Sequence, residues 1–403
     1  MELFWLEHKK LWRKKIVKIC VLLCFVYCVI FGSILSFQWF CFGSSDDYTS
    51  AFGNNFDGYT VIKDSQEYAL SFGGELTDET LQKIVSDYQQ MEADGMGEEL
   101  EKTDWQIVNS WLGTLYPELR DTSNYKTMIS YVDPDKLTGF YERRQQVLDE
   151  FLEVSGQVGA EKEFLHQIER KVEKPFRYEW VEGWSTLLGS MVADLGVVMA
   201  LFLGIVLSSL FAGEWHDNTS TLVLTTRNGW GKIALAKILT GLAFTVELFA
   251  LLAVSSVISQ LFFMGTAGWD MPIQNIKLIA VAPMNMLQAE IYEYAFVLLG
   301  AIGFAGIVMF ISAAVKNNVL TLLLSLAVVY GPMMIAEYLP YEMQKALDLI
   351  PLVGSSTDIF RTNTFRIFGK LIWSPYLLIT IPVLIGILCM PFAIKSWSRR
   401  MKA

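Results

Sequence analysis

Glu214, Asp217, Arg227 and Lys232 crowd into one short polar stretch between two long apolar runs. Carboxylates and cations so placed form charge-assisted hydrogen bonds, either within the stretch or across to a partner protein. Thr219, between them, is a helix-capping residue type. Covalent and metal chemistry are not encoded. His8, His166 and His216 lie in three different regions, and no HExxH, GxSxG or CxxC occurs. Gly229-Trp230-Gly231-Lys232 lacks the spacing of a phosphate loop and the Ser or Thr that follows one. Cys20, Cys24 and Cys28 share a helix face at four-residue spacing, but no His or Asp joins them as a metal site requires. No catalytic or metal-ligating residue is therefore assigned, and no cofactor. Any energy from nucleotide hydrolysis has to come from another chain.

Two acids stand inside apolar runs, Asp194 and Glu247. Ionisable groups at membrane depth are costly unless paired or hydrated, which makes both candidates for a substrate pathway. The competing reading sets Glu247 at the headgroups beside Lys237. Glu290 and Glu293 open a later run, where a helix N-terminus favours acid through its dipole.

The elements that carry these residues follow from composition. The 403 residues are 53% hydrophobic and 18% charged, against about 25% charged in soluble domains. A bilayer core needs roughly 20 apolar residues in helical form. Six stretches qualify: Ile19–Phe37, Leu195–Ala212 (extending back to Trp184), Ile238–Ala267, Tyr294–Val315, Asn317–Ala336 and Leu371–Ile394. The expected fold is an α-helical polytopic membrane protein with six transmembrane helices. Gly300, Gly303 and Gly306 favour close helix contact in the fourth span, and Pro332, Pro375 and Pro382 favour kinks in the fifth and sixth.

Basic residues set the orientation. Lys9, Lys10, Arg13, Lys14, Lys15 and Lys18 precede the first span; Arg227, Lys232 and Lys237 follow the second; Lys316 follows the fourth; Lys395, Arg399, Arg400 and Lys402 follow the sixth. Six spans put all of them on one side, so both termini are expected in the cytoplasm. The first span, 19–41, reads as a retained signal anchor. Ahead of it, residues 1–18 form an interfacial helix in which Leu3, Phe4 and Leu11 are apolar contacts and Glu7 and Lys10 polar ones. The alternative is a plain positive-inside flank.

Net charge is -10, but residues 42–185 hold 29 acidic and 13 basic side chains. That polar block is expected outside the cell as an α-rich or α+β extracellular domain, and the chain has no basic stripe for nucleic acid. Leu81, Ile84, Val85 and Tyr88 after Thr77-Asp78-Glu79 predict a helix. Asp133-Pro134 predicts the start of a second, carrying Leu137, Tyr141, Leu148 and Leu152, and Phe164, Leu165, Ile168 and Val172 a third. Tyr59–Lys63 and Tyr68–Phe72 are candidate strands. With its own apolar positions and no cysteine, the block is expected to fold alone. It is either a lid or docking surface, or an inert insertion.

The order of elements, together with Phe211-Ala212-Gly213-Glu214-Trp215-His216-Asp217-Asn218-Thr219-Ser220-Thr221-Leu222-Val223-Leu224-Thr225-Thr226-Arg227 and the later Ala236-Lys237, resembles the permease subunit of type-2 ABC exporters. Asn218 stands where that family has Gly, and Asn tolerates the same left-handed backbone. The resemblance covers the transmembrane frame; the polar block matches in placement alone. It implies a dimer, with a second copy or a paralogue, in the bacterial plasma membrane. Each subunit would contact a separate ATPase that carries ATP and Mg. Residues 213–237 would be a cytoplasmic coupling loop, with Glu214, Asp217, Thr219, Arg227 and Lys232 as the coupling residues. Residues 340–370 would be an extracellular re-entrant segment, and the cargo a hydrophobic, peptide or lipid-like substrate. The competing reading is a non-transporting envelope sensor or immunity protein.

Overall fold

The computed structural model describes residues 2–30, 66, 67, 69, 73–96, 105–121, 123, 126–188, 192–217, 219, 231–354 and 362–399. Five helices among them are long and apolar enough to cross a membrane: Leu195–His216, Lys232–Phe262, Met286–Ala314, Asn318–Tyr338 and Ser374–Ser398. They coincide with the second to sixth expected spans, so the protein is an α-helical multi-pass membrane protein. Of the first span, residues 19–30 are described and 31–41 lie outside the described residues. The expected strands at 59–63 and 68–72 also fall outside or almost wholly outside them.

The chain opens with α1 (Glu2–Arg13) and α2 (Lys15–Val29). On α2, Val17, Cys20, Cys24 and Cys28 are buried against the bundle while Ile19, Leu22 and Leu23 face outward. The main bundle comprises α8 (Val192–His216), α9 (Lys232–Met264), α10 (Met286–Ala314), α11 (Asn318–Ile335) and α13 (Ser374–Arg399). Its tightest seam joins α10 to α13. A Cβ on Gly303 would come within 2.3 Å of the Pro382 carbonyl oxygen, and one on Gly306 within 2.4 Å of that of Gly386. Bare backbone on both sides gives the close packing that apolar side chains cannot provide in lipid. On the other side of α10, the Ser312 hydroxyl donates to Ser208 O (2.7 Å) and accepts from the Phe211 and Ala212 amides (3.1 Å each), fixing α8.

The segment expected to be re-entrant divides in two. Helix α12 (Tyr341–Leu347) is followed by turns that drive Leu352, 2% exposed, against Gly300 in the bundle core. Residues 355–361 lie outside the described residues. Thr364–Ile367 (β3) and Lys370–Trp373 (β4) then form an antiparallel hairpin, so the last span begins at Ser374 rather than Leu371. The physical reason is a two-residue turn at Phe368-Gly369, where both residues take positive φ (48° and 80°).

The polar block contains β1 (Gly74–Glu75), α3 (Asp78–Met91), α4 (Trp105–Leu115), α5 (Phe140–Val154), α6 (Ala160–Glu169), β2 (Arg177–Tyr178) and α7 (Glu182–Thr186). Helix α3 begins as expected, with Thr77 accepting from the Thr80 amide and Leu81, Ile84, Val85 and Tyr88 buried. The second helix differs from expectation. Asp133-Pro134 makes a single 3-10 turn (Pro134–Lys136), and α5 starts only at Phe140, after Gly139 at φ 72°. Its cap comes from elsewhere: the Asp78 carboxylate accepts from the Gly139 (2.7 Å) and Phe140 (2.9 Å) amides. Similarly, α6 ends at Glu169, before Val172.

Most of the block's apolar positions, among them Leu81, Tyr88, Trp111, Phe140 and Tyr178, form one cluster that also takes in Met264 and Leu278, and a second cluster is shared with segments beyond the block. In the second, Leu148, Leu152 and Leu165 pack with Met271, Ile273, Ile279 and Trp373, all from beyond α9. Trp111 Nε1 donates to Asn275 O (3.0 Å), and Trp180 Nε1 to Met264 O (3.0 Å). Arg144, fully buried, donates to Leu278 O (2.7 Å), Ala280 O (3.2 Å) and the Glu169 carboxylate (2.5 Å). The segment 265–285 and the β3–β4 hairpin are thus part of this domain.

Candidate functional site

At the end of the bundle opposite the polar domain, α1 lies across the start of α9 and the last turn of α8. Its sequence dictates two faces. Leu3, Phe4, Glu7, His8 and Leu11 recur at helical spacing and turn inward, with Leu11 buried. Trp5 (62% exposed) and Leu6 (64% exposed) turn outward, beside Lys9 and Arg13. Aromatic and aliphatic groups beside cations are the composition of a helix lying in a membrane interface.

The inward polar groups converge on Glu214. Lys10 Nζ (2.5 Å) and Lys237 Nζ (2.9 Å) both donate to Glu214 Oε1, and the Thr219 hydroxyl donates to Oε2. Lys237 also donates to Glu7 Oε2 (2.8 Å), which closes the circuit back to α1. Glu214 is 4% exposed and Lys237 1%. Charges so buried persist only when paired and hydrogen-bonded, and each of these has two or more partners. One step further, Lys14 Nζ donates to the Ser209 hydroxyl (2.9 Å).

Two lysines outside the spans show the balance of forces. Burial works against the Lys10 ammonium, but the bond to Glu214 and the nearby Glu7 and Asp217 outweigh it and hold its pKa above the ordinary value. Lys14 goes the other way: burial, aided by neighbouring Lys237 and Lys10, pushes it down.

A second contact anchors the other end of α1. Trp12 Nε1 donates to Glu247 Oε2 (3.0 Å), His8 Nε2 stands 3.2 Å from Glu247 Oε1, and the Trp12 ring meets Phe244 edge-on at 5.8 Å. Glu247 therefore engages the N-terminal helix, ten residues beyond Lys237, whose own partners are Glu7 and Glu214. No protein-family model, curated protein or solved structure matches this chain. Its function has to be argued from this geometry.

Of the residues singled out for coupling, Glu214 and Thr219 meet, while Asp217 and Lys232 are exposed and Arg227 lies outside the described residues. Among the described residues, Glu214 pairs with Lys10 and Lys237. Of the pathway candidates, the side chain of Asp194 lies outside the described residues. Sequence reasoning missed Lys237 as a partner; its signal was a lysine one helical turn inside a long apolar run. It also missed Trp397, fully buried against Phe211 (5.5 Å) and Trp215 (6.1 Å), with Lys316 Nζ 4.4 Å over the Trp215 ring. These bring the end of the last helix to the same corner.

Proposed function

We propose that this chain is the membrane-spanning permease subunit of an ATP-driven exporter, and that α1 with the adjoining ends of α8 and α9 is the unit through which a separate ATPase moves it. The observation that carries the reading is the buried Glu7–Lys237–Glu214–Lys10 circuit. It fastens an amphipathic helix and two spans into one body, so that a push on the 213–237 loop reaches all three. In this reading there are six spans, both termini and the loop face the cytoplasm, and the polar domain is extracellular. The subunit works as a dimer, with a second copy or a paralogue, in the bacterial plasma membrane. ATP and Mg belong to the ATPase, and the cargo is hydrophobic, peptide or lipid-like.

Glu214 is too buried to be the contact itself; exposed Asp217 and Lys232 fit that role. Co-expression with the partner ATPase should yield a complex, and Asp217→Lys with Lys232→Glu should weaken it or uncouple ATP hydrolysis. ATP hydrolysis by the purified chain alone, or substitutions without effect on either property, would overturn the reading. Cysteine-accessibility labelling on a background lacking the native cysteines tests the sidedness. Positions in 77–170 should react in intact cells, and positions 216–230 only after permeabilisation.

The sensor reading is favoured by one feature, the shared core of the polar domain and segment 265–285, which would carry a ligand-induced shift directly into α9 and α10. A chain that responds to ligand yet forms no ATPase complex would support it.

A further inference from the structure

Helix α10 carries two acids that sequence reasoning placed as helix caps. The cap is made by other residues: Asn285 accepts from the Gln288 amide (2.9 Å) and Gln288 returns a bond to the Asn285 amide (3.2 Å). Glu290 (4% exposed) and Glu293 (fully buried) stand one and two turns further in. None of their four carboxylate oxygens has a hydrogen-bond partner among the described residues. The Tyr294 hydroxyl is close to Glu290 but is shared with Ser256 Oγ (2.7 Å).

A second, independent observation lies on α9. Gln260 is fully buried, and both its amide oxygen and its amide nitrogen lack partners. The Ser256–Tyr294 bond fixes the antiparallel register of α9 and α10. One turn onward on α9 is Gln260, and one turn back on α10 is Glu290. Residues four apart share a helix face, so Gln260 is level with Glu290 on the facing side of the seam. Buried polar groups are ordinarily satisfied, and a neighbouring pair of carboxylates cannot both stay charged in an apolar site without a compensating cation.

Among the described residues the surroundings supply no such cation. Helix α7 covers the site from the polar domain: a Cβ on Gly183 would lie 3.1 Å from the Met264 side chain, and Trp184 Nε1 donates to Ala267 O (2.9 Å). The titratable groups on the elements packed here are Glu182 on α7, Cys28 on α2, Tyr292 and Tyr294 on α10 itself, Tyr376 on α13, and Asp270 and Lys277 in segment 265–285. Asp270 is paired with Arg177 (3.6 Å), Tyr292 donates to Pro375 O (3.0 Å) and Lys277 is exposed. Among the described residues no ion pair involves Glu290 or Glu293.

We propose that Glu290 and Glu293, with the Gln260 amide opposite, bind a small monovalent cation, a proton or an alkali ion in its place, at the junction of the polar domain and the bundle. One of the two carboxyls stays protonated, and the bound cation neutralises the other, which lets α7 close over the pair. Loss of the cation leaves an uncompensated charge beneath α7 and loosens the junction. This is independent of what the chain transports.

The test is the melting temperature of the full chain in nanodiscs, with N-methylglucamine as the only other cation. Wild type should lose about 5 °C or more between pH 5.5 and pH 9, and E290Q/E293Q should lose much less. Sodium or potassium at pH 9 then identifies the occupant. Recovery in wild type and not in the variant assigns an alkali ion, and no recovery assigns the proton. Parallel curves for the two proteins in every condition overturn the proposal. Should the double variant fail to fold, dicyclohexylcarbodiimide, an apolar reagent for protonated buried carboxyls, replaces it on wild type. Modification of Glu290 or Glu293 that rises as pH falls, or that sodium or potassium suppresses, supports the site. No modification at pH 5.5 in alkali-free buffer overturns it.

Discussion

A lysine that cannot reach water and a lysine that can are held by the same carboxylate, and they should not matter equally. Lys237 Nζ is enclosed with Glu214 and Glu7, whereas the Lys10 side chain is 52% exposed. Removing one member of a buried pair leaves the other uncompensated, at about 3–5 kcal/mol; an exposed partner is worth about 0–1 kcal/mol. Lys237→Ala should therefore lower the thermal midpoint far more than Lys10→Ala, and Glu214→Ala should resemble Lys237→Ala. Equal effects of the two lysine substitutions would mean the burial of Lys237 is not what stabilises the circuit. In the polar domain, burial tends to raise the Glu169 carboxyl, but Lys174 and Arg144 outweigh it and hold it below the usual range. A depressed carboxyl contributes stability that is complete above its unfolded value, about 4.3, and lost as pH falls through the folded one. An acid titration of tryptophan fluorescence should thus show a transition below about pH 4 that Glu169→Gln reduces. None of these pairings could be read in advance, since Lys10 and Glu214 are 204 residues apart and only the type of each residue was visible.

At the level of elements, the long helices were legible because a bilayer demands unbroken apolar runs: those of 195–216 and 318–338 fall where hydropathy puts them, while that of 286–314 begins well before the expected Tyr294. What misled was local. Leu371-Ile372-Trp373 is apolar enough to extend the last span, yet it alternates across a hairpin whose partner strand, Thr364–Ile367, carries Arg366. Likewise the helix from Phe140 depends on Asp78, 62 residues earlier, which no local pattern announces. Asp78→Ala should cost about 0.5–2 kcal/mol, as cap removal does. Glycines divide by environment: Gly306→Ala has no space beside Gly386 and should separate α10 from α13, whereas Gly331→Ala on α11 meets nothing within 4 Å. The first should lower the thermal midpoint, by overpacking of about 1–3 kcal/mol. The second should leave it unchanged or raise it.

For the whole molecule, the polar domain and the ends of the spans nearest it form a single packing unit. Expression of residues 66–188 alone should give a species with helical far-UV circular dichroism but weak near-UV signal and dye binding, because Leu148, Leu152 and Leu165 lose their covering residues. A tightly packed isolated domain would show that segment 265–285 is merely adjacent. Three of its helices were legible from periodicity, but α4 (Trp105–Leu115) was not. Nor was the domain's incompleteness, because the missing residues lie in a segment that reads only as a connection between two spans.

That incompleteness sets an order of events during synthesis. When Leu188 leaves the ribosome, the residues that Trp111 and Arg144 will bond, Asn275, Leu278 and Ala280, have not yet been made. At about 5–20 residues per second, the domain waits roughly 5–20 s for segment 265–285, and longer for the hairpin at 364–373 that brings Trp373. Through that interval a helical but unsealed domain stands with part of its apolar interior exposed. The vulnerable moment in the life of this protein is thus translation of its middle, when a protease or a chaperone competes with the arrival of its own next loop.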